Sequence, residues 1–312
     1  MSRNVFMKKY GIMFILLIMV GLLCIFSPSF RTTANVLSIL QTVSTNGILA
    51  LGMVFVITAG GIDLSIGPML ALTSVIIGQM FHAGYGIVPA CILSVVVCGL
   101  FGLVNGVLVS RFKMFPFVVT LATQLVIRGT AYIISNGKTL SITSKGFRFV
   151  ASGRVGGVIP MAVIILAIVA VAAYIMLHWT KFGRYVYAVG GNINAAFAAG
   201  VRVQRIQTLT YVWMGVCAAV SGIIITSRVN ASQPNIGTGY ETDAIAACVI
   251  GGTSFAGGIS TIPGTIIGIL IIGVIYNGMN LLRLSSYLQI ITKGLLILIA
   301  VMLDMYLNKR RC

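Results

Sequence analysis

Carboxylates are almost absent from this chain. Its 312 residues include only four acidic side chains, Asp63, Glu241, Asp243 and Asp304, against 21 lysines and arginines. Charged residues make up 8% of the chain, whereas a soluble domain averages about 25%. Because an ionised carboxylate is costly in hydrocarbon, this shortage indicates a chain that lies mostly inside a bilayer. A chain of this length that lies mostly inside a bilayer has no room for a large soluble domain.

The signatures of several other protein classes are also missing. The tripeptide at 137–139 resembles the end of a P-loop, but Tyr132 stands where its first glycine belongs, so ATP would have to bind another chain. His82 and His178 stand singly, and the six cysteines show no zinc or redox spacing, so no metal or cofactor is predicted. No acid, base and nucleophile converge, so the chain is not predicted to be an enzyme. The basic residues fall mainly between apolar runs, which argues against nucleic acid as a partner.

Apolar runs dominate what is present. Hydrophobic residues make up 58% of the chain, the mean hydropathy is +1.07, and a membrane span needs roughly 17 to 25 apolar residues. The runs cover 11–30, 36–59, 64–82, 87–109, 115–135, 158–178, 206–226, 242–258, 262–282 and 286–307. We therefore predict an all-α polytopic membrane protein with one domain over 1–312 and about ten transmembrane helices, some of them short or broken. A six-span arrangement with re-entrant pieces is the alternative.

The basic residues predict the orientation. Ten runs put both ends on one side, and with the N-terminus inside, the inner segments hold twelve lysines and arginines and the outer segments seven. Because basic residues favour cytoplasmic loops, both termini are predicted to be cytoplasmic, as tails 1–10 and 308–312. The loop 136–157 is assigned outside although it carries four positive charges. It is either exported regardless of charge or a docking surface for an acidic partner.

Three of the four carboxylates lie in glycine-rich breaks between runs. In the first break, 59–68, glycines end one helix, and Asp63 and Ser65 are placed to cap the next by accepting hydrogen bonds from free N–H groups. Cation coordination or proton coupling is the alternative role for Asp63. In the second break, 237–258, two acids precede a helix and glycines follow it. The predicted cap and break residues are Gly60, Gly61, Asp63, Ser65, Glu241, Asp243, Gly251, Gly252, Gly257 and Gly258.

Two short stretches indicate an internal repeat. VITAGGIDLS at 56–65 and VIGGTSFAGG at 249–258 occupy corresponding places in the two halves of the chain. Glycine-interrupted segments in matching positions are typical of transporters built from repeats, with the transport path at the repeat interface. An inverted repeat is therefore predicted.

The inner segment 179–205 is long, charged at both ends and rich in alanine in the middle. Asn192 or Asn194 is predicted to cap a short helix that ends at Gly200. Such a helix on the cytoplasmic face either docks into a partner or simply connects two spans.

Four segments resemble a known family. They are GGIDLSIG, TKFGRYVYAVGGNINAA, TGYETDAIAACVIGGTSFAGG and NGMNLLRLSSYLQIITKGLLILIAVMLD, which lie between Gly60 and Asp304, and the resemblance extends from about residue 35 to the end. In these segments the chain is similar to the permease subunits of bacterial ABC sugar importers, in particular the ribose permeases of the ribose, xylose, arabinose and galactoside group. The resemblance implies the fold of type II ABC importer permeases.

The resemblance also implies partners. They are a second copy of the chain forming a homodimeric pore in the bacterial inner membrane, ATPase subunits docked on cytoplasmic coupling helices, and an extracytoplasmic protein that delivers a monosaccharide, with ribose expected first. The coupling residues implied are Gly183, Arg184, Tyr187, Gly190, Gly191, Asn192, Ala195, Ala196 and Gly200. The chain has Phe197-Ala198-Ala199 where relatives often show a Leu-Ser or similar pair before this last glycine.

Polar residues inside apolar runs are candidates for the sugar path, because amides and hydroxyls exchange hydrogen bonds with a neutral polyol without burying a charge. The candidates are Gln41, Asn46, Asn105, Gln124, Asn277, Asn280 and Gln289, with Thr45, Thr123 and Arg128 beside them. Helix-to-helix bonding is the alternative role for each. Four arginines are predicted to form an outer rim for acidic residues of the binding protein: Arg31, Arg148, Arg154 and Arg228.

An ion-coupled secondary sugar carrier, acting without an ATPase, is the alternative function. Such a carrier usually needs intramembrane ionisable groups for coupling. Here the carboxylates are predicted mostly to cap helix breaks, so the sequence favours gating driven by a partner.

Overall fold

The computed structural model describes the backbone of residues 3–309 and the side-chain surroundings of 11–299, 301 and 302. Within that part the chain forms thirteen α-helices and four two-residue strands. The helices α1 to α13 are Arg3–Phe26, Thr33–Thr58, Ile66–His82, Ile87–Ser110, Pro116–Ser135, Lys145–Ser152, Met161–His178, Lys181–Gly191, Ile193–Ala198, Val203–Val229, Tyr240–Ile250, Ile262–Leu281 and Ser286–Lys309. The strands β1 to β4 are Leu140–Ser141, Arg154–Val155, Ile159–Pro160 and Ala231–Ser232.

Six helices in the described chain are long and apolar enough to cross a membrane, namely α2, α4, α5, α7, α10 and α12. Shorter apolar helices are Gly11–Phe26 within α1, the whole of α3, and Ser286–Ile299 within α13. The run 242–258 forms only α11, which has 11 residues and ends before Gly251. The predicted all-α polytopic fold with some short or broken helices is confirmed.

The predicted tails 1–10 and 308–312 are partly helical. Helix α1 begins at Arg3 and α13 ends at Lys309. Residues 1, 2 and 310–312 lie outside the described residues.

Helices α2 and α10 form the centre of the bundle. Every residue of α2 from Val43 to Thr58 is buried, as expected of a helix that is apolar on all sides and surrounded by others. The two helices are antiparallel, because Ser221 Oγ donates to Thr45 O over 2.9 Å while Trp213 Nε1 donates to Leu51 O over 3.4 Å. The other helices pack around this pair.

Small residues allow α4 to approach α10 closely. A Cβ at Gly102 would overlap the Tyr211 carbonyl oxygen, and one at Gly106 would lie 2.7 Å from the Cα of Thr208. In a bilayer, where lipid is as apolar as the helices, such close backbone contact is a main source of helix association. These glycines therefore hold α4 against the central pair.

The two stretches predicted as an inverted repeat are not related by inversion. The N–H of Gly258 donates to the carbonyl of Thr58 over 2.9 Å, and Cys248 Sγ donates to Ala50 O over 3.3 Å. The helices that precede the two breaks, α2 and α11, therefore run in the same direction, and the end of the second stretch meets the end of α2 at Thr58. The prediction matched them by their glycines and ignored the direction of the helices that precede them.

An inverted relation exists instead between α2–α3 and α10–α11. Each pair is a long helix, a break and a shorter helix, and the two long helices are antiparallel. The shorter helices begin against each other, since a Cβ at Gly67 would lie 2.5 Å from the Gly237 carbonyl oxygen. The chain thus holds an inverted pairing whose second half starts earlier than predicted.

The two ends of the bundle differ in structure. One end, called here the strand end, carries β1 to β4 and α6, where β1 pairs with β4 and β2 with β3, both antiparallel. It is tied to the bundle by His82 Nε2 of α3, which lies 2.9 Å from the Ser141 carbonyl of β1, and by Ser227 Oγ of α10, which accepts from the N–H of Ala151 in α6 over 3.0 Å. The other end, called here the α8 end, carries α8 and α9. The predicted outer loop 136–157 thus forms β1, α6 and β2.

We expect Gly102→Ala to destabilise the protein, because the added methyl group would overlap the Tyr211 carbonyl and overpacking costs about 1 to 3 kcal/mol. Thermal unfolding in detergent should show a lower midpoint. Gly99→Ala, one turn earlier on α4, is the matched control, since nothing lies within 4 Å of a Cβ there. Equal midpoints for the two variants would contradict the close packing of α4 on α10.

Candidate functional site

Helices α8 and α9 are each started by a side-chain cap. Thr180 Oγ1 accepts from the N–H of Gly183 over 3.2 Å at the start of α8, and Asn192 Oδ1 accepts from the N–H of Ala195 over 3.0 Å at the start of α9. Asn194 lies inside α9, and Gly200, with φ of 79°, follows its end. The predicted short helix is therefore α9, capped by Asn192, and a second helix, α8, precedes it in the same segment.

Gly190 seats α8 directly on the two breaks. A Cβ at this position would overlap the carbonyl oxygen of Thr58 and would lie 2.6 Å from the N–H nitrogen of Gly258. Those two groups are hydrogen-bonded to each other at 2.9 Å. Only glycine leaves enough space here, so α8 touches the point where the break after α2 meets the break after α11. At the neighbouring Gly191 a Cβ would meet nothing within 4 Å.

Hydroxyl groups extend this contact. Tyr187 OH donates to the carbonyl of Ser260 over 2.9 Å, and Thr58 Oγ1 donates to Ser260 Oγ over 2.7 Å. Burial raises the pKa of the Tyr187 hydroxyl, so this group keeps its proton and remains a donor. Helix α8 is thereby tied to both breaks by hydrogen bonds as well as by packing.

The remaining surface of α8 and α9 faces outward and is partly apolar. Tyr185, Ile193 and Phe197 are 41%, 49% and 75% exposed. Arg184, Gly191, Asn192, Ala195 and Gly200 are exposed too, whereas Gly183 and Ala196 are buried. Exposed apolar groups beside charged ones at the end of a bundle are typical of a protein contact surface. We call Tyr185, Ile193 and Phe197 the apolar patch.

In the first break Asp63 is buried and makes a turn. Its Oδ1 accepts from the N–H of Ser65 over 2.9 Å and from Ser65 Oγ over 2.6 Å, and Asn105 Nδ2 of α4 donates to Ser65 Oγ over 2.9 Å. The predicted capping role needs correction, because Ser65 precedes α3 but its hydroxyl is bonded to Asp63 and makes no capping bond.

The glycines of this first break have two different roles. Gly60 has φ of 81°, a backbone conformation that other residues rarely adopt. A Cβ at Gly61 would lie 2.6 Å from the Tyr211 hydroxyl, which itself donates to the Ile62 carbonyl over 3.1 Å. The break is thus bonded to α4 and α10 and has a fixed path.

The start of α11 holds a buried ion pair. Lys293 Nζ of α13 lies 2.8 Å from Asp243 Oδ1, the one salt bridge found among the described residues, and it also donates to the Gly239 carbonyl. Tyr276 OH of α12 donates to the same Asp243 oxygen over 2.7 Å. Asp243 was predicted to cap the helix, but its carboxylate bonds to side chains of two other helices and so ties α11, α12 and α13 together.

Glu241 and Arg128 complete a charge-balanced cluster. Glu241 Oε1 accepts from the N–H of Gly239 over 3.2 Å just before α11, and its carboxylate is within electrostatic reach of Lys293 and Arg128. Arg128 Nη1 of α5 donates to the carbonyls of Pro234 and Ile236 over 2.7 and 3.1 Å. Two cations from apolar helices thus face two carboxylates, which limits the cost of burying any one of these charges.

The other glycines of the second break lie at helix ends and contacts. Gly251 follows α11, and Gly252, Gly257 and Gly258 have φ of 87°, 85° and 72°. A Cβ at Gly251 would lie 2.5 Å from the Gly264 carbonyl, so α12 packs closely there. The break ends at Gly258, where it contacts Gly190 of α8.

The predicted path residues are distributed over the bundle and do not gather in one cavity. Asn277 exchanges amide hydrogen bonds of 3.0 and 2.7 Å with Asn35, which joins α12 to α2, and Gln289 Nε2 donates to Asn280 Oδ1 over 2.9 Å. Gln41 and Gln124 are half-buried, and Asn46 is buried in α2. Thr123 bonds within its own helix, and Thr45 is buried in α2. Several of these residues therefore have the helix-joining role given as their alternative.

The four predicted rim arginines lie at the strand end. Arg31, Arg148 and Arg154 are exposed. Arg31 Nε donates to the Cys24 carbonyl over 2.7 Å, and the half-buried Arg228 Nη1 donates to Thr42 Oγ1 over 3.3 Å. Arg148 and Arg154 are the two that α6 and β2 carry outward.

Of the segment 233–239, residues 233–236 were not singled out from the sequence, and 237–239 were predicted only as the start of the second break. The segment is irregular, follows β4, and receives hydrogen bonds from Arg128 and Lys293. A signal was available, because a cation inside an apolar run requires a polar partner within the bundle. The polar partners that Arg128 and Lys293 require therefore indicate this segment.

The fold combines long and broken helices, two helix pairs in an inverted arrangement, and end helices that contact the breaks. These features define a multi-pass membrane transport protein. The chain belongs to the permease family described as "Branched-chain amino acid transport system / permease component", which matches residues 35–301. It is therefore the permease component of a transport system, as the four motif segments indicated. No solved structure matches the chain.

Three relatives are similar over nearly the whole chain. The ribose import permease protein RbsC of Bacillus subtilis (strain 168) is 44% identical over 300 residues, covering 96% of this chain and 93% of the relative. RbsC of Escherichia coli (strain K12) is 41% identical, covering 95% and 92%. The D-allose transport system permease protein AlsC of Escherichia coli (strain K12) is 39% identical over 307 residues, covering 97% and 94%.

We expect Lys293→Met to destabilise the fold, because it leaves the Asp243 carboxylate buried without its cation, and breaking a buried pair costs about 3 to 5 kcal/mol. Adding Asp243→Asn should recover much of that loss. Unfolding in detergent of the single and double variants measures the coupling, with Lys181→Met on the exposed start of α8 as control. Additive effects of the two substitutions would show that the pair is not coupled.

Proposed function

We propose that this chain is the permease subunit of an ATP-binding cassette importer that moves a monosaccharide, ribose first, into the bacterial cytoplasm. The relatives whose names specify ribose, D-allose or L-arabinose support a sugar as the substrate. The observation that carries the partner-driven mechanism is the seat of α8 on both breaks at Gly190.

ATPase subunits dock on the exposed face of α8 and α9 in this proposal. The apolar patch and Arg184 provide the contact, with Phe197 the most exposed of the patch residues. When the ATPase subunits close, they push α8. Because Gly190 and Tyr187 touch the ends of both breaks, α2 and α11 are displaced as rigid elements and the path changes the side to which it opens.

The orientation in this proposal places the α8 end and both termini in the cytoplasm. The described lysines and arginines exposed at that end are Arg111, Lys113, Lys181, Arg184, Arg202 and Arg205. With the basic residues of 1–10 and 308–312 counted, the segments assigned to this side hold twelve lysines and arginines against seven in the segments assigned to the other side, and this excess supports the cytoplasmic assignment. The strand end then faces outward and receives the sugar-binding protein, and a second copy of the chain completes the pore.

A carrier driven by an ion gradient is the competing function. It needs an ionisable group that is free to bind and release the coupling ion. The Asp243 carboxylate is held by Lys293 and Tyr276, and Asp63 is held by Ser65. These bonds favour gating by a partner.

Reconstitution tests the proposal. We expect ATP hydrolysis and sugar uptake in liposomes that hold this chain with its ATPase subunits, both stimulated by a sugar-loaded binding protein, with ribose, D-allose and L-arabinose compared. Uptake should require every component. Uptake by this chain alone, responsive to an ion gradient and indifferent to ATP, would show a secondary carrier instead.

Gly190→Ala should abolish stimulation of ATP hydrolysis by the sugar-loaded binding protein, because its methyl group would force α8 away from the Thr58 carbonyl. Gly191→Ala is the matched control, since it makes the same chemical change on the same helix where nothing lies within 4 Å. Assembly with the ATPase is measured in parallel by co-purification. Normal stimulation in the first variant would refute the coupling role of α8.

Charge reversal tests the predicted rim. Arg148→Glu with Arg154→Glu should weaken capture of the binding protein, most clearly at low salt, since exposed charges mainly set encounter rates. Arg202→Glu, at the α8 end, should leave capture unchanged. An unaltered affinity and salt dependence in the double variant would remove these arginines from the docking surface.

A further inference from the structure

The irregular segment 233–239 descends deep into the bundle. At its start, a Cβ on Gly78 of α3 would lie 2.6 Å from Ser232 Oγ, and near its end a Cβ on Gly67 would lie 2.5 Å from the Gly237 carbonyl. These two glycines are eleven residues apart on one helix, a rise of about 16 Å. The hydrocarbon core of a bilayer is about 30 Å thick, so the segment runs from the strand end to about mid-membrane.

The backbone of this segment is hydrogen-bonded to side chains, because it lacks the regular backbone hydrogen bonds of a helix or sheet. Arg128 donates to the carbonyls of Pro234 and Ile236, Lys293 donates to that of Gly239, and Ser74 Oγ accepts from the N–H of Gln233 over 3.2 Å. At membrane depth, irregular backbone is tolerated only where it is buried in protein or lines a water-filled cavity.

Its side chains show which of the two applies. Asn235 and Thr238 are exposed, whereas Pro234 and Gly237 are buried. Thr238 Oγ1 donates to the Asn235 carbonyl over 2.8 Å, while the Asn235 amide has no hydrogen-bond partner within the part of the chain that the structure describes. An unbonded amide facing lipid at this depth would be costly, so this edge faces water.

We propose that Asn235 and Thr238 line the aqueous translocation path and contact the transported polyol, and that Arg128 and Lys293 are positioning residues that hold the segment open. The amide offers two donors and one acceptor, and the hydroxyl oxygen keeps an acceptor site, which suits the vicinal hydroxyls of a neutral sugar. The nearby charges, two cations and two carboxylates, sum to zero and therefore do not favour an ionic solute. The inference that the solute is a sugar rests on the proposed function, whereas the inference that water lines this edge does not.

Thiol accessibility tests the aqueous edge. Asn235→Cys and Thr238→Cys, in proteoliposomes, should react with a small charged thiosulfonate reagent well above the background of the unsubstituted chain. Val171→Cys is the depth-matched control. It is apolar, 59% exposed and ten residues into α7 from the strand end, which is about 15 Å, yet should stay unreactive because it faces lipid. Reaction of the first two no faster than the control would overturn the proposal.

Two further variants test the positioning role. Arg128→Met should slow the reaction of Asn235→Cys by releasing the Pro234 and Ile236 carbonyls, whereas Arg128→Lys, which keeps a donor, should restore much of it. A reaction rate that is unaffected by Arg128→Met in a protein that still assembles would remove the positioning role.

Uptake tests the contact with the polyol. Asn235→Ala should lower sugar uptake per ATP hydrolysed about fivefold, the effect of losing one hydrogen bond to the solute, with ATPase assembly unchanged. Bound sugar delivered by its binding protein should also protect Asn235→Cys from the reagent. If the intact system moves ribose but Asn235→Ala and protection show no effect, the contact role fails. If the cysteines react but no sugar is transported by the unsubstituted protein, the proposed function fails while the aqueous edge stands.

Discussion

Every polar group of the backbone has to be bonded inside the protein where hydrocarbon replaces water, and this constraint shapes the molecule. Within the long helices it is met automatically. Wherever a helix breaks, other groups have to meet it: the Gly258 N–H bonds to Thr58 O, Tyr211 bonds to Ile62, and Arg128 bonds two carbonyls of the segment 233–239. The breaks are therefore the points at which distant helices are joined.

The same constraint explains where the scarce charges lie. Asp63, Glu241 and Asp243 all stand at breaks, and Arg128 and Lys293 reach breaks from helices that are otherwise apolar. Each of these charges bonds to backbone or to an opposite charge, or does both. A charge so used stabilises an irregular path through the bundle at a much lower cost than an unpaired one.

Long apolar runs were sufficient to predict the helical membrane fold, because span length and hydrophobicity depend on the chain alone. The roles of single polar residues were harder to predict. Asn277 was a path candidate, yet it bonds Asn35, a residue 242 positions away, and no local pattern reveals such a pair. Asp63 was expected to cap α3 but bonds Ser65 in the preceding turn. Residues 233–236 are neither apolar nor part of a familiar motif, so only the distant cations that bond this segment could have indicated them.

The contact of α8 with both breaks also affects the order in which the helices would move. The Thr58 carbonyl and the Gly258 N–H are bonded to each other beneath Gly190, so the two breaks share one contact point. In the proposed cycle a displacement of α8 therefore reaches both breaks in the same step. If α8 is moved as proposed, the helices on either side of that bond shift together, and half-switched conformations, which would allow a solute to leak in both directions, are disfavoured.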